Sequence, residues 1–262
     1  MTVVAFCNQK GGVAKTTTAL AFAYGLSLRG YKVCCIDLDP GDGNLSTVVG
    51  VDKSGVAYPT SAALLSHEYK CCECIQTTEY YDVVACNSTL LAAEIAIQGK
   101  IARESQLKKA IAGIRQDYDY ILLDTPGMFN LSLVNALVAA DAAIIPMGAD
   151  GLDATSGFGI GETIEQVREA YNPQLAIAGI AVTKFRPNTN LQQRMDASII
   201  DNAQTRNIHV FDAHIRLSIV VQDAQANQTD LGAFKPASPV AQDYDALVDE
   251  FLANERKRNE RQ

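Results

Sequence analysis

A glycine-rich stretch with two lysines, close to the start of the chain, constrains the fold more than any other feature. Residues 9–18 read Gln-Lys-Gly-Gly-Val-Ala-Lys-Thr-Thr-Thr, between an apolar run at 3–7 and a helix-compatible run at 19–26. A strand, a glycine loop, a Lys-Thr pair and a helix form the layout of a phosphate-binding loop. Backbone N–H groups of such a loop, and the N-terminus of the helix behind it, surround a phosphate. The alternative interpretation is an ordinary glycine turn between a strand and a helix.

The loop also predicts which side chains meet a nucleotide. Lys15 is expected to reach the β- and γ-phosphates, and the Thr16 hydroxyl to ligate Mg²⁺. The strict pattern G-x-x-x-x-G-K-[ST] is not met, because Gln9 and Ala14 occupy its two glycine positions. If position 14 requires a positive φ, the Cβ of Ala14 costs about 1–2 kcal/mol, which a folded protein tolerates.

Apolar runs alternate with amphipathic segments along the rest of the chain. The runs predict strands at 32–40, 83–86, 120–124, 142–146, 177–183 and 208–211. The amphipathic segments predict helices at 61–65, 90–97, 104–114, 133–138, 161–170, 190–202 and 239–255, while 66–81 has no regular pattern. This alternation predicts an α/β fold, a doubly wound, mostly parallel sheet with helices on both faces. We expect one domain over residues 1–262, with a short basic tail from about 254.

Carboxylates stand where two of the predicted strands end. Ligands bind at the carboxyl ends of the strands in such sheets. Asp124 closes an apolar run in a Walker B-like arrangement and is expected to hold Mg²⁺, usually through a water; the alternative is a plain Asp-Thr-Pro-Gly turn. Asp37 and Asp39 lie on one face of their strand end, and the alternative for this pair is a solvated position without a function.

The segment Lys-Gly-Gly-Val-Ala-Lys-Thr-Thr at 10–17 closely resembles the deviant Walker A motif, K-G-G-x-G-K-[ST]-[ST], of the ParA/MinD family of ATPases. Lys10 matches that family's signature lysine. Asp-Leu-Asp-Pro at 37–40 resembles the family's switch segment, which implies that Asp39 lies near the γ-phosphate and the attacking water. The family commonly continues Pro-Gln-Gly-Asn, whereas this chain has Pro-Gly-Asp-Gly-Asn at 40–44, one residue longer.

The resemblance implies the fold of a P-loop NTPase of the deviant Walker A type, with ATP and Mg²⁺ as cofactors. The catalytic residues it implies are Lys10, Lys15 and Asp39. The implied nucleotide-binding residues are Lys10, Gly11, Gly12, Val13, Ala14, Lys15, Thr16, Thr17, Thr183, Lys184, Ile215 and Arg216. The implied metal-binding residues are Thr16, Asp39 and Asp124.

The function that the resemblance implies is that of a ParA-type partition ATPase. Two subunits would enclose two ATP–Mg²⁺, with Lys10 reaching the partner's phosphates, and the homodimer would bind DNA non-specifically. A ParB-like activator would stimulate hydrolysis, and the cargo would be a plasmid, a chromosome region or a protein assembly. The net charge of −8 opposes DNA binding by the monomer, so binding requires a local patch or dimerisation. Candidate contacts are Arg186, Arg194, Arg206 and Arg216; the alternative is that these are ordinary surface arginines.

Two other members of the family offer alternative functions. A MinD-like membrane switch needs an amphipathic C-terminal helix whose apolar face is free for lipid, but the apolar stripe ends at Leu252, so we expect no stable membrane association. An electron-transfer relative like the nitrogenase iron protein needs a cysteine just beyond Walker B. Residues 128–130, Met-Phe-Asn, offer none.

The cysteines bear on the compartment and on metal binding. All seven lie between Cys7 and Cys86, an odd number that cannot all pair. No signal peptide or apolar run of membrane-spanning length is recognised, so we expect a reducing, cytoplasmic location, associated with the nucleoid when ATP is bound. A cluster of imidazole and thiols offers zinc ligands, although the spacing matches no zinc motif; the alternative is a set of ordinary thiols. The cluster consists of His67, Cys71, Cys72, Cys74 and Cys86.

Overall fold

The fold is seen in a computed structural model that describes residues 1–149, 159–186 and 190–260. The last two residues of the predicted basic tail, 261 and 262, lie outside the described residues.

Seven strands form one sheet in the described part of the chain. They are β1 (Thr2–Phe6), β2 (Val33–Asp37), β3 (Ile75–Thr77), β4 (Asp82–Val84), β5 (Tyr120–Asp124), β6 (Ala142–Gly148) and β7 (Ala176–Thr183). Their order across the sheet is β3-β4-β2-β5-β1-β6-β7. All neighbours run parallel except β3, which is antiparallel to β4. The predicted mostly parallel sheet is therefore confirmed.

Helices connect the strands and cover the sheet. They are α1 (Lys15–Leu28), α2 (Leu45–Val49), α3 (Ser61–Ser66), α4 (Thr89–Ile97), α5 (Gln106–Ile111), α6 (Leu131–Ala139), α7 (Gly159–Ala170), α8 (Asn190–Thr205), α9 (Ile219–Ala226), α10 (Leu231–Phe234) and α11 (Pro239–Asn259). None of these helices is long and apolar enough to cross a membrane.

The sheet is buried on both faces, which explains the continuous apolar runs of its strands. Side chains alternate along β1, so that Val3 and Ala5 join one hydrophobic cluster while Val4 and Phe6 join the other. The first cluster includes residues of α3 to α8, and the second includes residues of α1, α2, α9, α10 and α11. The predicted doubly wound arrangement, with helices on both faces, is confirmed.

Two segment predictions need correction. The predicted strand at 208–211 forms only an isolated bridge, between Val210 and Ile180 of β7. The chain continues beside β7 without forming a strand: the Phe211 N–H donates to the Ile180 carbonyl at 3.0 Å and the Ile215 N–H to the Val182 carbonyl at 2.8 Å. The Phe211 ring lies against Gly179, where a Cβ would be 2.7 Å from the ring. The predicted helix at 104–114 is shorter than expected, since α5 is flanked by 3₁₀ turns at Arg103–Ser105 and Ala112–Ile114.

The C-terminal helix α11 extends further than predicted, so the first part of the basic tail is helical. Its apolar stripe is buried in the same cluster as α1. Glu255, in the predicted tail, is also buried, and accepts a hydrogen bond from the Thr2 hydroxyl at 2.6 Å and another from the Tyr120 hydroxyl. The stripe is formed by Val240, Tyr244, Leu247, Val248, Phe251 and Leu252.

The cysteine cluster does not form a metal site. All seven thiols are free, and each except Cys72 is buried. Burial raises the pKa of Cys71 to about 12 and that of Cys74 to about 11, which favours the protonated thiol over the metal-binding thiolate. Within the described ranges, no group of three or more His, Cys, Asp or Glu side chains could hold a metal ion. The zinc interpretation is therefore wrong for this cluster.

Candidate nucleotide-binding site

The predicted phosphate loop follows β1 at the carboxyl edge of the sheet, beside the two buried carboxylates. In the strand register Phe6 is paired with Asp124, and Asp124 is paired with Asp37. The loop at 8–14 therefore begins beside Asp124, with Asp37 one strand further away, and leads directly into α1. This is the edge at which ligands bind in doubly wound sheets.

The loop backbone has a positive φ at position 14, the condition under which the sequence predicted a cost for the Ala14 Cβ. Ala14, the N-cap of α1, has φ 67° and ψ 30°, the left-handed region, and Gly12 has φ 74°. Asn8 fixes the start of the loop: its Nδ2 donates to the Pro146 carbonyl at 2.9 Å, and its Oδ1 accepts from the Lys10 N–H at 3.1 Å. A tight, anchored loop of this kind keeps its N–H groups turned inward.

Thr16 and Asp124 are brought together beneath this loop. The Thr16 hydroxyl donates to Asp124 Oδ2 at 2.7 Å. Asp124 is fully buried, and its other oxygen, Oδ1, has no hydrogen-bond partner. Burial raises the pKa of Asp124 well above its usual range, with a further contribution from Asp37, against the opposing effects of Thr16 and Lys15. A buried carboxylate oxygen without a partner, beside a hydroxyl, fits a Mg²⁺ site, because Mg²⁺ prefers oxygen ligands and keeps several waters.

Lys15 is nearly buried, and its Nζ donates to the Lys10 carbonyl at 3.1 Å. Burial lowers the pKa of Lys15, while the nearby carboxylates of Asp124 and Asp39 raise it. The ammonium therefore lies within the loop, on the side of the carboxylates, where a phosphate group would offset the cost of its burial.

Gly127 allows the segment after β5 to approach the phosphate loop closely. A Cβ at this position would lie 3.0 Å from the Gly11 Cα and 3.1 Å from its nitrogen. No larger residue fits without displacing the loop backbone. The Asp-Thr-Pro-Gly segment at 124–127 is therefore part of the site and not a remote turn.

Asp37 and Asp39 take different positions. Asp37 is fully buried, and burial raises its pKa to about 6, opposed by hydrogen bonds from Ser46 and from the Asp39 N–H. Asp39 lines the cleft over the loop, and its Oδ1 accepts from the Gly41 N–H at 3.0 Å. Of the two carboxylates, only Asp39 faces the ligand space.

The cleft above the phosphate loop encloses about 360 Å³. The predicted nucleotide-binding residues that line it are Gly11, Gly12, Ala14, Lys15, Thr16, Thr17, Thr183, Lys184, Ile215 and Arg216. Lys10 and Val13 are not among the lining residues; the Val13 side chain is buried, and its carbonyl accepts from the Thr183 hydroxyl at 3.1 Å. Thr183 thus anchors the loop in addition to lining the cleft.

Several lining residues lie outside the predicted set. Val221, Gln222 and Gln225 come from α9, and Gln225 donates to the Thr17 hydroxyl at 3.1 Å. Tyr244 comes from the apolar stripe of α11, where the sequence pattern indicated only packing. Leu217 and Ser218 extend the wall beyond Arg216. Beyond the predicted set, the family resemblance also indicates that Ser218 and Gln225 help to close the base pocket. The sequence contains no such signal for Leu217, Val221 and Gln222.

Arg216 is compensated by an acidic partner. Its Nε and Nη2 donate to the two carboxylate oxygens of Asp243 at 2.7 and 2.8 Å. The side chain therefore forms a bidentate ion pair at the cleft wall, which makes it a weaker candidate for contacting DNA phosphates than the sequence indicated. Arg186, Arg194 and Arg206 are exposed.

The fold and this site define a P-loop nucleotide-binding protein with a magnesium position. A family model described as an AAA domain matches residues 1–177. The chromosome partitioning protein ParA of Caulobacter vibrioides is 30% identical over 260 residues, which cover 98% of this chain and 96% of that protein. The sporulation initiation inhibitor protein Soj of Bacillus subtilis is 29% identical over 254 residues, 96% of this chain and 98% of Soj. This chain belongs to the ParA/MinD family of deviant Walker A ATPases, as its loop motif predicted.

A solved structure supports the same fold. The cobyrinic acid a,c-diamide synthase from Mycobacterium smegmatis, with bound ADP and magnesium, superimposes with a TM-score of 0.84 at 26% identity. The match covers 98% of this chain and 96% of that one.

Proposed function

We propose that this chain is a ParA-type positioning ATPase that binds ATP and Mg²⁺ in the cleft above the phosphate loop and hydrolyses ATP to ADP and phosphate. The observation that carries the proposal is the Thr16–Asp124 pair, 2.7 Å apart, with an unpartnered buried carboxylate oxygen directly beneath the loop. The relative crystallised with ADP and magnesium supports the choice of ligand.

The roles follow from these positions. Thr16 and Asp124 hold the magnesium ion, which when bound offsets the negative charge of the phosphates. Lys15 releases the Lys10 carbonyl and places its ammonium on the phosphates, since it is already within the loop. Asp39, the carboxylate that faces the cleft, orients the attacking water. Positioning and charge stabilisation account for most of the catalysis in phosphoryl transfer.

The assembly that we propose follows the relatives named ParA and Soj. ATP binding produces a homodimer in which Lys10 reaches the phosphates of the partner. The dimer binds DNA non-specifically through basic residues of the C-terminal half, on the nucleoid in the cytoplasm. A ParB-like protein stimulates hydrolysis and releases the dimer, which positions a plasmid, a chromosome region or a protein cargo. Burial of the α11 stripe argues against the MinD-like mode of membrane attachment.

Isothermal titration calorimetry with ATP tests the binding step. Wild-type protein is expected to bind ATP in a Mg²⁺-dependent manner, and Lys15→Ala to lose at least tenfold in affinity, because its ammonium is the main positive charge within the loop. Lys100→Ala is the matched control, since the Lys100 ammonium also donates to a backbone carbonyl, that of Ser66, at 3.1 Å. Equal affinities of wild type and Lys15→Ala would overturn the assignment.

A further inference from the structure

The loop that carries Asp39 is closed by two buried polar side chains that do not face the nucleotide. It joins the end of β2 to the start of α2, over residues 38–44. Asp39 and Gly43 line the cleft, whereas Asp37 and Asn44 are not among the lining residues. Asp37 is 0% exposed and Asn44 is 2% exposed.

Asp37 connects both ends of this loop. Its Oδ1 accepts from the Asp39 N–H at 3.0 Å, and its Oδ2 accepts from the Ser46 N–H at 2.9 Å and from the Ser46 hydroxyl at 2.5 Å. The Ser46 hydroxyl in turn accepts from the Cys86 N–H at 2.9 Å. One carboxylate therefore ties the start of the loop, the start of α2 and the segment after β4 together.

Asn44 uses both halves of its amide. Its Oδ1 accepts from the Thr47 N–H at 3.1 Å and so caps α2. Its Nδ2 donates to the Asp39 carbonyl at 2.8 Å and to the Cys86 carbonyl at 3.3 Å. The backbone of Asp39 is thus held on both sides, at its N–H by Asp37 and at its carbonyl by Asn44.

We propose that Asp37 and Asn44 are positioning residues for ATP hydrolysis, which fix the Asp39 backbone so that its carboxylate meets the attacking water. The inference rests on the proposed function, because it assumes that Asp39 orients this water. It also explains how a loop one residue longer than the family's usual one keeps Asp39 at the cleft: the extra residue lies between two fixed ends. A displacement of about 1 Å in a reacting group costs up to 10²-fold in rate.

Replacing Asn44 by serine separates its two functions. Serine is as good an N-cap as asparagine, so α2 stays capped, but it has no amide arm to donate to the Asp39 carbonyl. The expected result is a turnover rate at saturating ATP reduced about tenfold or more, with an ATP dissociation constant within about twofold of wild type. Asn44→Asp is a second variant, since it keeps the capping oxygen and exchanges the donor for an acceptor; it is expected to lose turnover in the same way.

Asn172→Ser is the matched control. Asn172 is also buried, at 7% exposed. Like Asn44, it donates through its Nδ2 to two backbone carbonyls, those of Leu137 and Ala140, at 3.0 and 2.7 Å. It lies away from the cleft, so its loss is expected to lower the melting temperature and leave turnover unchanged. If the role of Asn44 were purely structural, Asn44→Ser would likewise lower the melting temperature and leave turnover unchanged.

The outcomes distinguish the two proposals. If wild-type protein neither binds nor hydrolyses Mg²⁺–ATP, the proposed function fails. If wild type turns over ATP and either folded Asn44 variant does so at the wild-type rate, the positioning role of Asn44 is wrong and the proposed function stands. Slow turnover with unchanged ATP affinity in a folded Asn44 variant, but not in Asn172→Ser, supports the inference.

Discussion

Ala14 carries backbone strain at the centre of the nucleotide site. Its φ of 67° places a Cβ in the left-handed region, which costs about 1–2 kcal/mol for a residue other than glycine. Glycine also gains entropy in the unfolded chain, which cancels part of the relief. We predict that Ala14→Gly raises the free energy of unfolding by about 0.5–1 kcal/mol, measured by urea denaturation.

An ordinary helical alanine gives the control for this prediction. Ala92 is exposed within α4, where Ala→Gly lowers the free energy of unfolding by about 1 kcal/mol. The two substitutions are identical in chemistry and are expected to have opposite signs. A loss of stability in Ala14→Gly comparable to that in Ala92→Gly would show that position 14 is not strained.

Motif spacing was enough to predict that Thr16 and Asp124 belong to one site. Thr16 and Asp124 are 108 positions apart in the chain, and the structure places them in hydrogen-bond contact. Asn8 and Asn44 were not predicted as anchors of the site, because an asparagine in a loop has no sequence signal for the carbonyl that it will meet. Tyr244 was assigned to packing, since it fits the apolar period of its helix and its contact with the cleft depends on tertiary structure.

At the scale of elements, the strands buried on both faces were the easiest to predict. The predicted strand at 120–124 has the same bounds as β5, because the apolar run marks the buried strand and the carboxylate marks its end. The three-residue β3 and the five-residue α2 were missed, since elements this short do not complete a hydrophobic period. The same reason applies to α9, whose eight residues follow an irregular loop.

The C-terminal helix α11 is held to the sheet by its apolar stripe. The Phe251 ring is 2% exposed and lies 5.3 Å from the Phe22 ring of α1, edge to face. We predict that Phe251→Ala lowers the free energy of unfolding by about 3–5 kcal/mol, measured by urea denaturation. Leu28→Ala, at a residue 60% exposed on α1, is the control and is expected to change it by less than about 0.5 kcal/mol.

The same stripe bears on membrane binding. If α11 stays packed, wild-type protein is not expected to sediment with anionic lipid vesicles, with or without ATP. Sedimentation that is lost in Phe251→Ala would instead mean that the stripe leaves the sheet for lipid, and the MinD-like alternative would then be favoured.

For the whole molecule, a partly buried acid outside the phosphate loop, Asp230, makes stability depend on pH. Burial raises the pKa of Asp230 from 3.8 to about 6, opposed by the hydrogen bond that its Oδ1 accepts from the Tyr81 hydroxyl at 2.6 Å. The folded state therefore holds this proton more tightly than the unfolded state. Stability contributed by the proton is present below about pH 4 and is lost as the pH rises to about 6.

We predict that Asp230→Asn removes this loss. Relative to wild type, the variant gains up to about 3 kcal/mol in free energy of unfolding between pH 4 and pH 7, from the size of the shift. The asparagine oxygen still accepts from Tyr81. Asp52→Asn is the control of opposite sign, because hydrogen bonds from Ser54 lower the pKa of Asp52. Parallel pH profiles for wild type and Asp230→Asn would contradict the prediction.

We expect the dimer, and not the monomer, to bind DNA. A monomer with a net charge of −8 repels DNA, whereas two subunits side by side double the number of basic contacts. The proposed dimer should therefore shift DNA in gels with ATP and little with ADP, and Lys10→Ala should abolish the shift. Each phosphate contact lowers the logarithm of the binding constant by about 0.9 per tenfold increase in salt.

The ion pairs refine which arginines to change. Arg216 is bound to Asp243, so we expect the exposed Arg194 to contribute more to DNA binding. Arg194→Ala should weaken binding and reduce the salt slope by up to about 2, because the dimer presents this side chain twice. Arg29→Ala removes the same kind of charge, but Arg29 is paired with Asp245 and Asp249, so its slope should stay near that of wild type. An ATP-bound dimer that ignores DNA even at low salt would exclude transport over the nucleoid, because no stronger electrostatic condition remains to be tested.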